Sequence, residues 1–96
     1  MPRVRRPRKP VQHVIPKEIL AREVARILED EQLTQTEAAY LIRDAPSQVS
    51  LMVTGKVKGF SSERLLRTLV RLGRDVDIVV RPAKSGKTGK VRLAVR

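Results

Sequence analysis

The sequence predicts a mainly α-helical domain of four to five helices over residues 17–73, followed by a pair of β-strands within residues 74–96. Three observations support this fold class. Apolar residues recur with a period near 3.6 up to Gly73, and two short helical stretches in the middle are joined by a tight turn. From Asp75 the apolar period changes to 2. Residues 1–16 contain four prolines and predict an extended basic arm.

The outer two helices are indicated by their apolar stripes and their end signals. The first is predicted from about Lys17 to Glu31. The last is predicted to begin at Ser61 or Ser62, either of which could cap it, and to end at Gly73. The predicted buried faces are Leu20, Val24, Ile27 and Leu28 in the first, and Leu65, Leu66, Leu69, Val70 and Leu72 in the last.

The stretch from Leu33 to Gly55 carries the strongest local pattern in the chain. Thr34 and Glu37 have the spacing of a capping box, which begins a helix. Pro46 suits the first turn of a second helix, because its missing N–H is not needed there, and Gly55 ends that helix. The predicted buried residues of this pair are Ala38, Ala39, Ile42, Val49 and Met52.

This pattern resembles the helix-turn-helix of the XRE/Cro family of DNA-binding proteins, in its Leu-Thr-Gln opening at residues 33–35, its alanine pair and its closing Gly55. The continuation over residues 55–82, with Phe60 ahead of the last helix and a Leu-Gly step after it, is similar to small HigA-type antitoxins and related regulators. Two positions depart from the family pattern. Arg43 stands in place of the turn glycine, which predicts a reshaped turn, and Asp44 stands in place of an apolar residue.

The resemblance implies that the second helix of the pair lies in the DNA major groove. The residues expected to contact bases are Pro46, Ser47, Gln48 and Leu51. Those expected to contact phosphates are Gln35, Thr36, Ser50, Thr54, Lys56 and Lys58. Gln48 is the expected adenine partner, because a carboxamide can pair bidentately with that base. No arginine lies on this helix, so only modest direct readout is expected.

The predicted C-terminal strands have one apolar face each, formed by Val76, Ile78 and Val80 and by Val91, Leu93 and Val95. They could pair as a hairpin or each with its copy in a second subunit. Because a lone two-stranded sheet is unstable in water, its apolar face needs a cover. We therefore expect these residues to serve dimerisation.

The net charge of +11 lies entirely in the two ends of the chain. Residues 1–10 hold five basic side chains and residues 81–96 hold six, all without an acid, whereas the basic and acidic residues between them balance. Beside a helix-turn-helix, such ends indicate DNA as the partner. Arg3, Arg5 and Arg6 are candidates for a narrow minor groove, with a nonspecific tail as the equal alternative. The arm lacks the amphipathic helix that membrane binding needs.

Composition excludes several other functions. The chain has no cysteine and one histidine, so neither a disulfide nor a thiolate metal site is expected, and no cofactor is predicted. The Gly-Lys-Thr at residues 86–88 lacks the upstream glycine of a phosphate-binding loop, and no nucleophile–base pair is evident, so the protein is not expected to be an enzyme. Without a signal peptide or an 18-residue apolar run, a cytoplasmic protein is expected.

The leading functional prediction is a homodimeric, sequence-specific repressor that reads an inverted repeat. As an antitoxin it would repress its own operon, and the resemblance implies a RelE-like toxin as its partner. A free-standing, phage-derived regulator without a toxin is the second possibility. An architectural or RNA-binding protein is the third, disfavoured because two aromatic residues offer little for base stacking.

Overall fold

The computed structural model describes residues 15–95, except for the side chain of Ser85. It contains four α-helices: α1 at Lys17–Asp30, α2 at Gln35–Ile42, α3 at Pro46–Val53 and α4 at Ser62–Arg71. One turn of 3₁₀ helix follows at Lys84–Gly86. The four helices predicted from the periodicity are confirmed, with boundaries within one or two residues of those expected.

The helix ends form where the sequence places their capping groups. The hydroxyl of Thr34 accepts from the Glu37 N–H at 3.1 Å, and the Glu37 carboxylate accepts from the Thr34 N–H at 2.9 Å, so the capping box of α2 is complete. The hydroxyl of Ser61 caps α4 by accepting from the Arg64 N–H. Gly55, at φ +78°, follows α3 and lets the Lys56 N–H reach the Leu51 carbonyl at 2.9 Å.

A single aliphatic core lies where α1 crosses α3 and α4, with α2 packed on α3. Phe60, which lies between α3 and α4 in the sequence, is buried in this core. The buried apolar residues are Leu20, Ala21, Val24, Ile27, Leu28, Ala38, Ala39, Ile42, Val49, Met52, Val57, Phe60, Leu65, Leu69 and Leu72. One predicted core residue is misplaced: Val70 is 55% exposed, and Thr68 takes the buried position on α4 instead.

The predicted C-terminal β-strand pair is wrong. Within residues 15–95 the structure has no strand, and the two stretches are extended without a ladder. Ile78 is 75% exposed and Val80 is 91% exposed, and Val76, Val91 and Val95 are also exposed. Leu93 alone of the six is half-buried against the helical core. Apolar alternation specifies a strand only where a neighbouring backbone satisfies its N–H and C=O groups, and among residues 15–95 none does so there.

Within the described part of the chain, no helix is long and apolar enough to cross a membrane.

Candidate nucleic-acid interface

The turn between α2 and α3 keeps the left-handed conformation that a glycine would adopt. Arg43 has φ 57° and ψ 49°, and the next N–H, that of Asp44, donates to the Ala39 carbonyl at 3.0 Å. The expectation that Arg43 would reshape the turn is therefore wrong. A non-glycine residue in this region costs about 1 kcal/mol, so the surrounding contacts must hold the turn in place.

Two arginines of α4 supply those contacts. Arg71 donates from Nη1 to the Ile42 carbonyl at 2.8 Å, which satisfies an unpaired acceptor at the C-terminal end of α2. Arg64 donates from Nη2 to Oδ2 of Asp44 at 2.6 Å. The turn is thus tied to α4 at the two residues that flank Arg43, and the departure at Asp44 has a physical reason: the acid has its basic partner there.

Arg64 also contacts the first turn of α3. Its Nη2 donates to Oε1 of Gln48 at 3.0 Å, and its Cζ lies 4.4 Å from the centroid of the Phe60 ring. Sequence analysis did not single out Arg64, because it lies 16 residues beyond Gln48 on another helix. The acid at position 44 was the available signal, since a partly buried carboxylate needs a basic partner.

The Asp44 carboxyl is held in its ionised form by these neighbours. Partial burial acts to raise its pKa, but hydrogen bonds from Arg64 and from the Ala45 N–H, with the charges of Arg64 and Arg71, outweigh it. The pKa of Asp44 therefore lies below its usual value. The Arg64–Asp44 pair is consequently intact near neutral pH.

The predicted base-contact residues share the start of α3, with different exposure. Pro46 and Ser47 are exposed at the N-terminus of the helix, whereas Gln48 and Leu51 are half-exposed. Leu51 packs partly against the core, so only part of its side chain could reach a thymine methyl group. This exposed turn is the part of a helix-turn-helix that approaches base edges.

The N-terminus of α2 carries two of the candidate phosphate-contact residues. Gln35 and Thr36 are exposed in its first turn, and within residues 15–95 their backbone N–H groups have no acceptor. Free amides at a helix N-terminus favour a phosphate oxygen. The hydrogen bond from the Thr34 N–H lowers the pKa of Glu37, whose carboxylate is turned back onto the cap.

The loop between α3 and α4 carries the remaining phosphate candidates. Lys56 and Lys58 are exposed on it, and Lys17 of α1 anchors it by donating to the Phe60 carbonyl at 3.0 Å. Thr54 is also exposed, but its hydroxyl donates to the Ser50 carbonyl at 2.7 Å. That hydroxyl proton is therefore already used within the helix, and Thr54 is a weaker phosphate donor than the sequence indicates.

Further arginines enlarge the basic surface beside the turn. A shallow cavity of about 200 Å³ lies between the α2–α3 turn and α4. Its lining residues are Ile42, Arg43, Asp44, Arg64, Arg67, Thr68 and Arg71. With four arginines against one acid, this face is cationic although residues 11–80 balance to zero. Folding brings Arg43 of the turn beside the three arginines of α4.

The predicted arm and an exposed part of α2 need separate mention. Arg3, Arg5 and Arg6 lie outside the described residues. On α2, Tyr40 is 83% exposed and Leu41 is also exposed. They line an open apolar groove with Leu33, which shows that they do not serve the core. Within residues 15–95, no group of three or more His, Asp and Glu side chains is placed to hold a metal ion.

This arrangement, two short helices joined by a braced left-handed turn with a basic surface alongside, is that of a DNA-binding helix-turn-helix. The family described as "Helix-turn-helix domain" matches residues 10–81. A solved structure described as an XRE family transcriptional regulator is 30% identical, with a TM-score of 0.75. The match covers 83% of this chain and 90% of that one. No match was found among curated proteins. The chain belongs to the XRE family of helix-turn-helix transcriptional regulators.

Proposed function

We propose that this regulator is a sequence-specific repressor that binds an inverted-repeat operator as a homodimer. The observation that carries the proposal is the first turn of α3, where Ser47 is exposed and Gln48 is held by Arg64 rather than left mobile. A preordered polar side chain loses less conformational entropy on binding than a free one.

Base contacts fall to the exposed turn of α3, and phosphate contacts to the surfaces beside it. Gln48 and Ser47 can hydrogen-bond base edges, while Pro46 and Leu51 offer apolar contact. Gln35 and Thr36 on one side and Lys56 and Lys58 on the other would hold the backbone, with a smaller part for Ser50 and Thr54. Arg3, Arg5 and Arg6 remain proposed as an arm for the minor groove.

A homodimer would place two recognition helices about 34 Å apart, one helical turn of DNA. Support for it comes from the aliphatic residues that residues 74–95 leave uncovered. Ile78, Val79 and Val80 are consecutive and all exposed, which is unusual for a monomer in water. A second subunit packed against these residues would cover them.

The antitoxin role is a further part of the proposal and rests on the HigA-like sequence of residues 55–82. It requires a second protein partner, of the RelE-like class that this resemblance implies. The exposed groove at Tyr40 and Leu41 is compatible with such a contact. A free-standing regulator without a toxin is the alternative, and co-purification with the product of a neighbouring gene would distinguish the two.

The first experiment measures binding to the DNA upstream of the protein's own gene and to a scrambled duplex of equal length, at several salt concentrations. We expect a preference for the upstream DNA of about a thousandfold at physiological salt. Equal binding to both duplexes that falls steeply with salt would mean that charge alone supplies the affinity, and would reject the repressor.

Two matched variants sharpen this experiment, because both replace a glutamine without changing the charge. Gln48→Ala is expected to weaken binding to the operator by about tenfold and to leave the scrambled duplex unaffected. Gln35→Ala is expected to lower the affinity for both duplexes by the same factor, because a phosphate contact carries no sequence information. Identical behaviour of the two variants would contradict the assignment of base and phosphate contacts.

A further inference from the structure

Arg64 lies on α4, outside the helix-turn-helix, but its guanidinium contacts the side chain expected to read a base. Nη2 donates to Oε1 of Gln48 at 3.0 Å and to Oδ2 of Asp44 at 2.6 Å. The stacking of the guanidinium on Phe60, which is buried, limits its remaining freedom. Arg64 is therefore fixed by three neighbours, and it fixes Gln48 in turn.

The chemistry of the two side chains sets the orientation of the carboxamide. Arginine has only donors, so the group of Gln48 that faces it must be the oxygen. The Nε2 group, with two hydrogens, then has its hydrogen-bonding capacity unused, and within residues 15–95 it has no partner. In the folded protein, Gln48 consequently offers DNA a donor.

We propose that Arg64 is a positioning residue that sets the base preference of Gln48. This rests on the proposed function. With Oε1 held by Arg64, Nε2 is the group left to donate to a base. Guanine presents two acceptors in the major groove, N7 and O6, whereas adenine presents one, N7, beside its N6 donor. Bidentate pairing with adenine, expected from the sequence, would need Oε1 to accept from N6 while Arg64 occupies one of its two lone pairs.

The test uses the full chain and an operator in which each base pair is changed in turn to the other three. Binding of the wild type and of Gln48→Ala identifies the base pair that Gln48 contacts, since only there does the variant lose its preference. At that position the wild type is expected to bind guanine better than adenine by about tenfold, because guanine offers a second acceptor where adenine offers a donor.

Arg64→Met removes the donors while keeping a long apolar stem over Phe60. It is expected to abolish or reverse that preference, because a freed carboxamide can turn to pair with adenine. The matched control is Arg67→Met, one turn along the exposed side of α4, where the arginine is paired with Glu63. The control variant is expected to bind all duplexes more weakly by the same factor, so the order of preference among the four bases stays the same.

Two further variants keep the test valid if Arg64→Met does not fold, which its thermal unfolding reports. Asp44→Asn removes the carboxylate that holds Arg64, and Arg64→Lys keeps a charge with a single donor centre. Both variants are expected to bind the operator, but with a smaller ratio of affinities between guanine and adenine at the position that Gln48 contacts. If neither variant reduces that ratio, the positioning role of Arg64 is overturned.

The outcomes also distinguish a failure of the role of Arg64 from a failure of the proposed repressor function. Adenine as the preferred base of the wild type, or an unchanged ranking in Arg64→Met, would overturn the role of Arg64 while the repressor stands. A wild type without preference for any sequence would overturn both.

Discussion

Residues 17–73 and residues 74–95 contain a comparable share of aliphatic side chains, but only the first region buries them. In the helical region the apolar residues recur every three or four positions, so each helix brings its own hydrogen bonds and needs only side-chain packing. In the second region they alternate, which requires a second backbone to pair with. The comparison shows that helices satisfy their own backbone hydrogen bonds and need only side-chain packing within this chain, whereas the alternating segments need a partner strand or another covering surface.

The largest expected effect tests whether the helical region carries the stability. Leu65→Ala empties a position that is fully buried at the centre of the core, and it should lower the free energy of unfolding by about 3 kcal/mol. Val80→Ala is the control in the second region. At a protein concentration low enough for monomers, it should change the free energy of unfolding by less than about 0.5 kcal/mol. Urea unfolding at two protein concentrations measures both. A loss in Val80→Ala that is present at high protein concentration and disappears on dilution would show that the exposed segment is covered in a dimer.

An intermediate effect is expected at Leu93, the residue of the second region that contacts the core. Leu93→Ala should lower the free energy of unfolding by about 1 kcal/mol, since its side chain is half-buried against the helices. Val91→Ala, two residues away and exposed, should have little effect. The same urea titration compares them. Equal and negligible losses would mean that the C-terminal segment does not rest on the core in solution.

A smaller effect is expected at the turn inside the helical region. Arg43→Gly should be more stable than Arg43→Ala by about 1 kcal/mol, because both lose the guanidinium but only glycine removes the strain of the left-handed conformation. Thermal unfolding of the two variants gives the difference directly. A turn that has relaxed to another conformation would show no difference between them.

The smallest expected effect is a dependence on pH at Asp44. Because its pKa is lowered in the folded protein, its ionised form stabilises the fold above the unfolded pKa of about 4, and this contribution is lost as the pH falls through the folded value. Asp44→Asn should therefore show a shallower loss of stability between pH 5 and pH 3, roughly the range in which carboxyl groups titrate. Urea unfolding across that range tests it. Arg64→Met should remove much of the same acid-dependent component, since Arg64 is the main partner of the carboxylate. If the free energy of unfolding falls equally in the wild type and in Asp44→Asn as the pH is lowered, ionised Asp44 does not stabilise the fold.

The helices were predictable because their signals are local. Thr34 and Glu37 are three residues apart, and Gly55 follows its helix directly, so the groups that cap each end are present in the same short stretch. The residues predicted to be buried on α1 are likewise all buried in the structure. Val70 shows the limit of this reasoning: its position in the stripe is apolar, but nothing in the described chain packs over it.

The candidate site was predictable only in part. The exposed turn of α3 followed from its likeness to known helix-turn-helix proteins, but the state of its main side chain did not. Gln48 meets Arg64 because α4 crosses near the start of α3, and no local pattern encodes that meeting. The use of the Thr54 hydroxyl within its own helix was likewise invisible in the sequence.

By itself, the sequence determined where the helices begin and end, most of the residues that form the core and where the excess charge lies. These depend on interactions between residues a few positions apart and on composition. Only the tertiary structure decided that Arg43 keeps a left-handed turn, that Arg64 orients Gln48 and that the C-terminal alternation forms no strand. Each of these depends on which groups from distant parts of the chain come within hydrogen-bonding reach, and that is settled only when the helices pack.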